Sequence, residues 1–286
     1  MLTKFEKQAN LTGIAAGAIC TAQLPADRVH HGLYLVCRKA AAAAMSEAEI
    51  EADVGKIIIR LDGDIKIEAT AAQLFDVWRY WYGQHGAFTI AGLIPIPFTR
   101  PNLIPAIHRA ALAWGMKGVE SYTIEVAIAG VATLVSIEVW CEVEDRVAEL
   151  GRHLCIGYHP QSFASTGVQE LNTLPFGDND KAMLAIHIGH GSGAIKSVNC
   201  KATISNKSEE IYAELAAEAN NHILRQAGRT NQTGWYHIDF AQINDVSGYL
   251  PSGPISAFRQ QIDWGTQPNN YPVLIEEVRG LTTAVA

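Results

Sequence analysis

The side chains best placed to do chemistry stand in the run Gly189-His190-Gly191-Ser192-Gly193, where an imidazole and a hydroxyl lie two positions apart. A serine nucleophile on a strained elbow needs the order Gly-x-Ser-x-Gly, which this run lacks. The neighbouring Lys196-Ser197 pair is preceded by Ile195, not by the glycine that a phosphate-cradling loop requires. The adjoining residues Ala194 to Ile204 read as a strand rather than a helix, so the run is expected to be a tight connection between strands.

Metal donors are also present. His153, Cys155 and His159 are close in sequence, with His187 and His190 as partners from the neighbouring segment, but the spacing fits no zinc pattern. A bicupin enzyme would need a His-x-His pair, and the chain contains none. Gly177-Asp178-Asn179-Asp180 offers oxygen ligands of the kind calcium takes, yet Gly189 stands where an EF-hand loop ends on glutamate, so a turn is expected. Trp78, Tyr80, Trp81 and Tyr82 resemble a stacking platform for sugars or bases, but Trp78 and Trp81 fall on a helix's apolar stripe and are expected in a core. Asp62 and Asp64 flank Gly63 as in an ordinary turn. No residue is assigned a catalytic, cofactor-binding or metal-ligating role.

The elements that would position these groups are mostly strands. Apolar alternation runs through Ile14, Ala16, Ala18, Cys20, Ala22 and Leu24; through Phe88, Ile90, Ile94, Ile96 and Phe98; and through Val131 to Val143. Leu184, Ile186 and Ile188 alternate too, as do Tyr236, Ile238 and Phe240, while Ile57 to Leu61 is apolar except at Arg60. Two helices carry start signals: Thr70-Ala71-Ala72-Gln73 before Leu74, Val77, Trp78 and Trp81, closed by Gly83, and Asn206-Lys207-Ser208-Glu209 before Ile211, Leu215, Ala219 and Ile223, closed by Gly228. They predict helices over 70–83 and 206–227.

Length, charge and cysteine usage set the bounds. At 286 residues the chain can bury two ordinary cores without staples. A net charge of −7 argues against a surface that itself neutralises nucleic acid. Five cysteines without a C-x-x-C pair predict free, buried thiols in a reducing compartment. Met1 to Asn10 lacks the apolar stretch of a signal peptide, and the longest apolar window is broken at Pro95, Pro97, Arg100 and Pro101, so neither secretion nor a spanning helix is expected.

The parts recur in order, as an internal duplication would leave them. Arg109-x-x-Leu112-x-Trp114-Gly115 returns 150 residues later as Arg259-x-x-Ile262-x-Trp264-Gly265, and Tyr122 returns at Tyr271. This predicts a short helix before each tryptophan, ended by a glycine in the left-handed region, with the two tryptophans equivalent. Residues 145–180 show no clean period and are expected to connect the halves. The expected organisation is a first β-sandwich or barrel, the jelly roll being one such form, with an N-terminal arm over 1–150, a connector over 151–176 and a second such domain over 177–286. The alanine-rich, then acidic stretch Lys39 to Asp53 reads as a short exposed helix or loop inserted in the first half.

Ile14-Ala15-Ala16-Gly17 through Cys20 to Leu24-Pro25, Leu61-Asp62-Gly63, Phe98-Thr99-Arg100-Pro101, Ala185-Ile186-His187-Ile188 and Tyr236-His237-Ile238-Asp239-Phe240 carry a resemblance spread over nearly the whole chain. The sequence resembles the double jelly-roll major capsid proteins of tailless, internal-membrane-containing icosahedral bacteriophages, the corticovirus type in particular; the Lys39 to Asp53 insertion departs from that pattern. The resemblance implies an all-β fold with a few short helices, two tandem eight-stranded jelly rolls and no enzymatic activity. It implies a homotrimeric, pseudo-hexagonal capsomer that contacts neighbouring capsomers, penton and membrane-associated virion proteins but not nucleic acid. It also implies assembly in the host cytoplasm into a virion capsid around a lipid vesicle. It implies no cofactor; some members bind calcium, and no match identifies ligands here. The rival readings are a two-domain jelly-roll or bicupin-type enzyme and a carbohydrate-binding module.

Overall fold

Period-two sequence becomes paired strand through most of the computed structural model, which describes residues 3–82, 90–100, 110–162, 165–191, 194–204, 206–241, 248–266 and 270–281. The chain divides into two compact units, Met1–Arg79 with His85–Gly157, and Tyr80–Gln84 with Tyr158–Ala286.

The first unit contains β1 (Thr3–Lys7), β2 (Ile19–Gln23), β3 (Val29–Lys39), β4 (Val54–Leu61), β5 (Asp64–Thr70), β6 (Leu93–Pro97), the two-residue β7 (Trp114–Gly115), β8 (Tyr122–Ile128) and β9 (Leu134–Glu144). One sheet has the order β1-β9-β3-β6, with β7 also beside β3, and the other has β2-β8-β4-β5. Their buried faces alternate: Tyr122, Ile124, Val126 and Ile128 on β8, and Ile137, Val139, Cys141 and Val143 on β9. Removing each such aliphatic side chain from water contributes roughly 1.5–3 kcal/mol.

The second unit takes up β10 (His153–Ser162) part-way along, then holds β11 (Gly167–Leu171), β12 (Lys181–Gly189), β13 (Ala194–Ile204), β14 (Lys207–Ala216), β15 (Trp235–Asp239), the two-residue β16 (Leu250–Pro251), β17 (Ile255–Thr266) and β18 (Asn270–Arg279). Its sheets are β10-β18-β12-β15 and β11-β17-β13-β14. Ile186, Ile188, Val198, Cys200, Phe258, Ile262, Trp264, Val273 and Ile275 meet in one core.

With β7 and β16 set aside, the two units share one strand order. In each, the first strand lies beside the eighth, then come the third and sixth, while the second lies beside the seventh, then the fourth and fifth. In each, too, a helix joins the fifth strand to the sixth. The duplication expected from the sequence is therefore present as topology.

Three helices longer than one turn are described: α1 (Glu47–Asp53), α2 (Ala71–Tyr82) and α3 (Ala217–Gln226). The Thr70 capping box forms as expected, Thr70 N donating to Gln73 Oε1 at 2.8 Å and Gln73 N to Thr70 Oγ1 at 3.3 Å. The second helix starts at Ala217, eleven residues later than expected. Lys207–Ala216 is strand β14, because Ile211 and Leu215 share one face of a strand as well as of a helix, and Asn206 takes a left-handed turn with φ 62° instead of capping. The true helix begins after Ala216, which offers no side-chain cap and so no signal.

The tryptophan repeat does not hold as a repeat of structure. Trp264 lies in a long strand where Phe258, Gln260, Ile262 and Trp264 alternate inward, so no helix precedes it. Tyr122 opens the seventh strand of its unit but Tyr271 lies in the eighth, so the two matched segments are one strand out of step. Arg109, Gly83 and Phe88 lie outside the described residues. Gly115 and Gly265 have ordinary negative φ rather than the left-handed backbone expected.

Two further expectations change. The 145–180 stretch, expected as a connector, holds β10 and β11, and β11 pairs with β17 from Gly167↔Trp264 to Leu171↔Gln260. Within Lys39 to Asp53, α1 forms behind a capping box of Ser46 and Glu49, but it is not simply exposed: Met45, Ile50 and Asp53 are buried. Asp53 Oδ2 accepts from Thr133 N at 2.6 Å and Leu134 N at 2.9 Å, which fixes the start of β9.

Candidate functional site

The sequence candidates are dispersed. The Gly189–Gly193 run is a strand connection: β12 ends at Gly189, and the N–H groups of His190 and Gly191 both donate to Gly234 O, at 2.7 and 3.1 Å. Ser192 and Gly193 lie outside the described residues. His153 Nδ1 is 2.8 Å from Gly151 O, and Cys155 is buried as a thiol. At Asp178 the Asp180 N–H and the Lys181 ammonium hold the carboxyl below its usual range, so this loop satisfies its own oxygens as a turn does. Asp62 Oδ1 accepts from the N–H groups of Glu120 and Ser121 at 2.8 and 2.7 Å, again a structural bond.

What the second unit does assemble is a sealed polar cluster around His187 and His237. The two face each other across the β12–β15 pair, Nδ1 to Nδ1 at 2.7 Å, and His187 Nε2 reaches Glu276 Oε1 of β18 at 2.7 Å. Trp81 Nε1 donates to that same carboxylate oxygen at 2.7 Å. Tyr80 stacks on His237 at 4.2 Å, and its hydroxyl donates to Asp239 Oδ2 at 2.8 Å. Arg229 Nε donates to Asp239 Oδ2 at 3.3 Å, and Asn220 Nδ2 to His237 O at 2.7 Å.

The hydrogen bonds assign the tautomers. His187 Nε2–H serves the Glu276 carboxylate, leaving Nδ1 to accept from His237 Nδ1–H. The bare His237 Nε2 is then a lone acceptor, buried and without a partner among the described residues. Burial, with His187 and His190 nearby, pushes this imidazole well below its usual range, so it stays neutral.

Carboxylate, imidazole, imidazole is the order of a general-base relay, but this one ends in a wall. His187, His237, Asp239 and Glu276 are all fully buried, and the Tyr80 hydroxyl already donates to Asp239. With these members all buried and bonded to one another among the described residues, the cluster braces three strands and the end of α2.

Of this cluster, only His187, Tyr80 and Trp81 stand out in the sequence as candidates for chemistry. His237 and Asp239 do not, because the apolar Tyr236 and Ile238 predict an outward face for their neighbours, whereas all five residues of β15 are buried. The available signal was Glu276-Glu277 inside the apolar run Val273 to Val278, since buried charge demands partners.

The first unit has a smaller counterpart. His30 and His31 are both buried where a bulge in β3 breaks the alternation, and His30 packs edge-on to Tyr122 at 5.3 Å. Trp114 stacks on Phe98 at 3.8 Å and donates to Leu154 O at 2.9 Å.

Two β-sandwiches of identical strand order, each with a helix between its fifth and sixth strands and a closed polar interior, define a double jelly-roll structural protein. The sequence profile of the viral coat protein P2 N-terminal domain matches residues 5–144, and that of the C-terminal domain matches residues 156–281. The chain belongs to this viral coat protein family.

The major capsid protein P2 of bacteriophage PM2 is similar over 97% of both chains, with a TM-score of 0.82 at 18% identity. The Sulfolobus turreted icosahedral virus structure covers 98% of this chain and 92% of its own, with a TM-score of 0.69 at 12% identity. The PBCV-1 virus capsid protein covers 98% of this chain and 95% of its own, with a TM-score of 0.61 at 9% identity. No curated protein sequence matches the chain. The family is one of coat proteins, so the enzyme and carbohydrate-binding readings are set aside.

Proposed function

We propose that the chain is the major coat subunit of an icosahedral virion and builds its shell as a homotrimer, three chains giving six similar lobes of a pseudo-hexagonal tile. The observation that carries this is the shared strand order: a sixfold-like tile from three copies needs two like domains per chain. The first lobe comes from the 1–150 region, the second from 177–286 together with the strands of 151–176.

Tiles meet neighbouring tiles, penton proteins and membrane-associated virion proteins around an internal vesicle, after assembly in the host cytoplasm. A chain of net charge −7 suits a shell held away from the genome. The role requires no catalytic residue, metal or cofactor. Sedimentation equilibrium of the purified protein at micromolar concentration is expected to give three times the chain mass; a stable monomer or dimer would sink the proposal.

A further inference from the structure

Beside α3 the second unit opens into a cavity of about 340 Å³, within the size range of small-molecule sites. Asn221 and Arg225, one turn apart on the helix, line one side; Thr230 and Asn231 come from the loop beyond it, and the buried Trp235 from β15. No aspartate or glutamate lines this space among the described residues.

Two groups in it are unspent. The Arg225 side chain is exposed and makes no hydrogen bond or ion pair among the described residues, whereas Arg229, four positions on, is buried against Asp239. Asn231 Oδ1 is buried and lacks a donor among the described residues, its Nδ2 already being given to Gln232 O at 3.4 Å. A guanidinium fork without a counter-ion calls for an oxyanion, and a buried lone acceptor calls for a hydroxyl.

We propose that the cavity binds a small phosphate monoester bearing a free hydroxyl, such as a glycerol phosphate group. Its terminal oxygens take Arg225, Asn221 and Thr230, its hydroxyl donates to Asn231 Oδ1, and its carbon skeleton rests against Trp235. Three terminal phosphate oxygens match three donor side chains, where a carboxylate brings only two. On a chain of net charge −7, an anion gains most where a cation stands without a neighbouring acid.

Calorimetric titration of the full chain with glycerol 3-phosphate is expected to show saturable one-to-one binding, with none for glycerol. Arg225→Gln, a change at an exposed side chain that should leave the melting temperature unaltered, is expected to weaken binding about tenfold or more. Vesicles containing phosphatidylglycerol distinguish the two sources of the group: if they displace bound glycerol 3-phosphate the site reads a lipid headgroup, and if not, a soluble ester. Absence of saturation, equal binding by the Arg225→Gln protein, or tighter binding of glycerate than of glycerol 3-phosphate would overturn the proposal.

Discussion

At His30 both ring nitrogens are sealed without a hydrogen-bond partner among the described residues, and burial pushes the imidazole down to about 4. The unfolded chain takes up this proton near 6.5, so above that pH the group costs nothing extra. As pH falls from about 6.5 to 4, stability drops by about 3 kcal/mol, and below 4 the loss levels off. His237 acts in the same direction. Of the titratable groups near His30, Asp27 and Glu6 oppose the shift, and Arg28 and His31 reinforce it. His30→Leu is therefore expected to raise the melting temperature more at pH 5 than at pH 8; equal gains at both would contradict this account. Trp114 and Trp264 are fully buried, so each change to alanine is expected to cost roughly 3–5 kcal/mol by chemical denaturation. Their burial was legible from sequence, but their supposed equivalence was not real.

Gly115 and Gly265 separate the two elements that the sequence pattern matches to each other. A Cβ on Gly115 would sit 2.2 Å from Glu149 O, a backbone atom that cannot give way, whereas on Gly265 its nearest neighbour would be the movable Lys196 Cε at 3.2 Å, with Ala194 O at an ordinary contact of 3.5 Å. Gly115→Ala is thus expected to destabilise by about 1–3 kcal/mol and Gly265→Ala by less than about 0.5 kcal/mol in urea unfolding. Comparable losses would restore the equivalence. Elements whose signals are local were legible: α2 has a Thr70–Gln73 box and an apolar stripe, β9 follows its alternation, and the apolar run Ile57 to Leu61 lies in β4. The failures arose where local pattern is degenerate. Spacing of four serves strand and helix alike at Ile211 and Leu215, and the buried Gln260 masks the alternation of β17. The polar cluster was hidden for a different reason, since it joins residues of β12, β15, β18 and α2 that only the sheet order brings together.

Across the molecule, all five cysteines are buried and outside any disulfide, and burial pushes Cys37, Cys141 and Cys200 up to about 12. Thiolates are scarce at such values, so native protein should react slowly with a thiol reagent, and denatured, unreduced protein should yield all five. A shortfall after denaturation would mean a disulfide or bound metal. The duplication was visible in the sequence as an order of elements, and it survives there. It was invisible as residue identities, because each repeat needs only the same alternation of buried and exposed positions, which many side chains satisfy.

The first strand of each sandwich is hydrogen-bonded to the last, Thr3 opposite Glu144 in the first unit. On a ribosome adding about 5–20 residues per second, β1 waits on the order of ten seconds before its partner exists. Throughout that wait its backbone is open to strands from adjacent nascent chains on the same message. Lys4, Glu6 and Lys7, three charges in a five-residue strand, make such pairings unfavourable until β9 arrives. The sparing use of apolar residues in β1 therefore protects a protein made in bulk from associating before it has a shape.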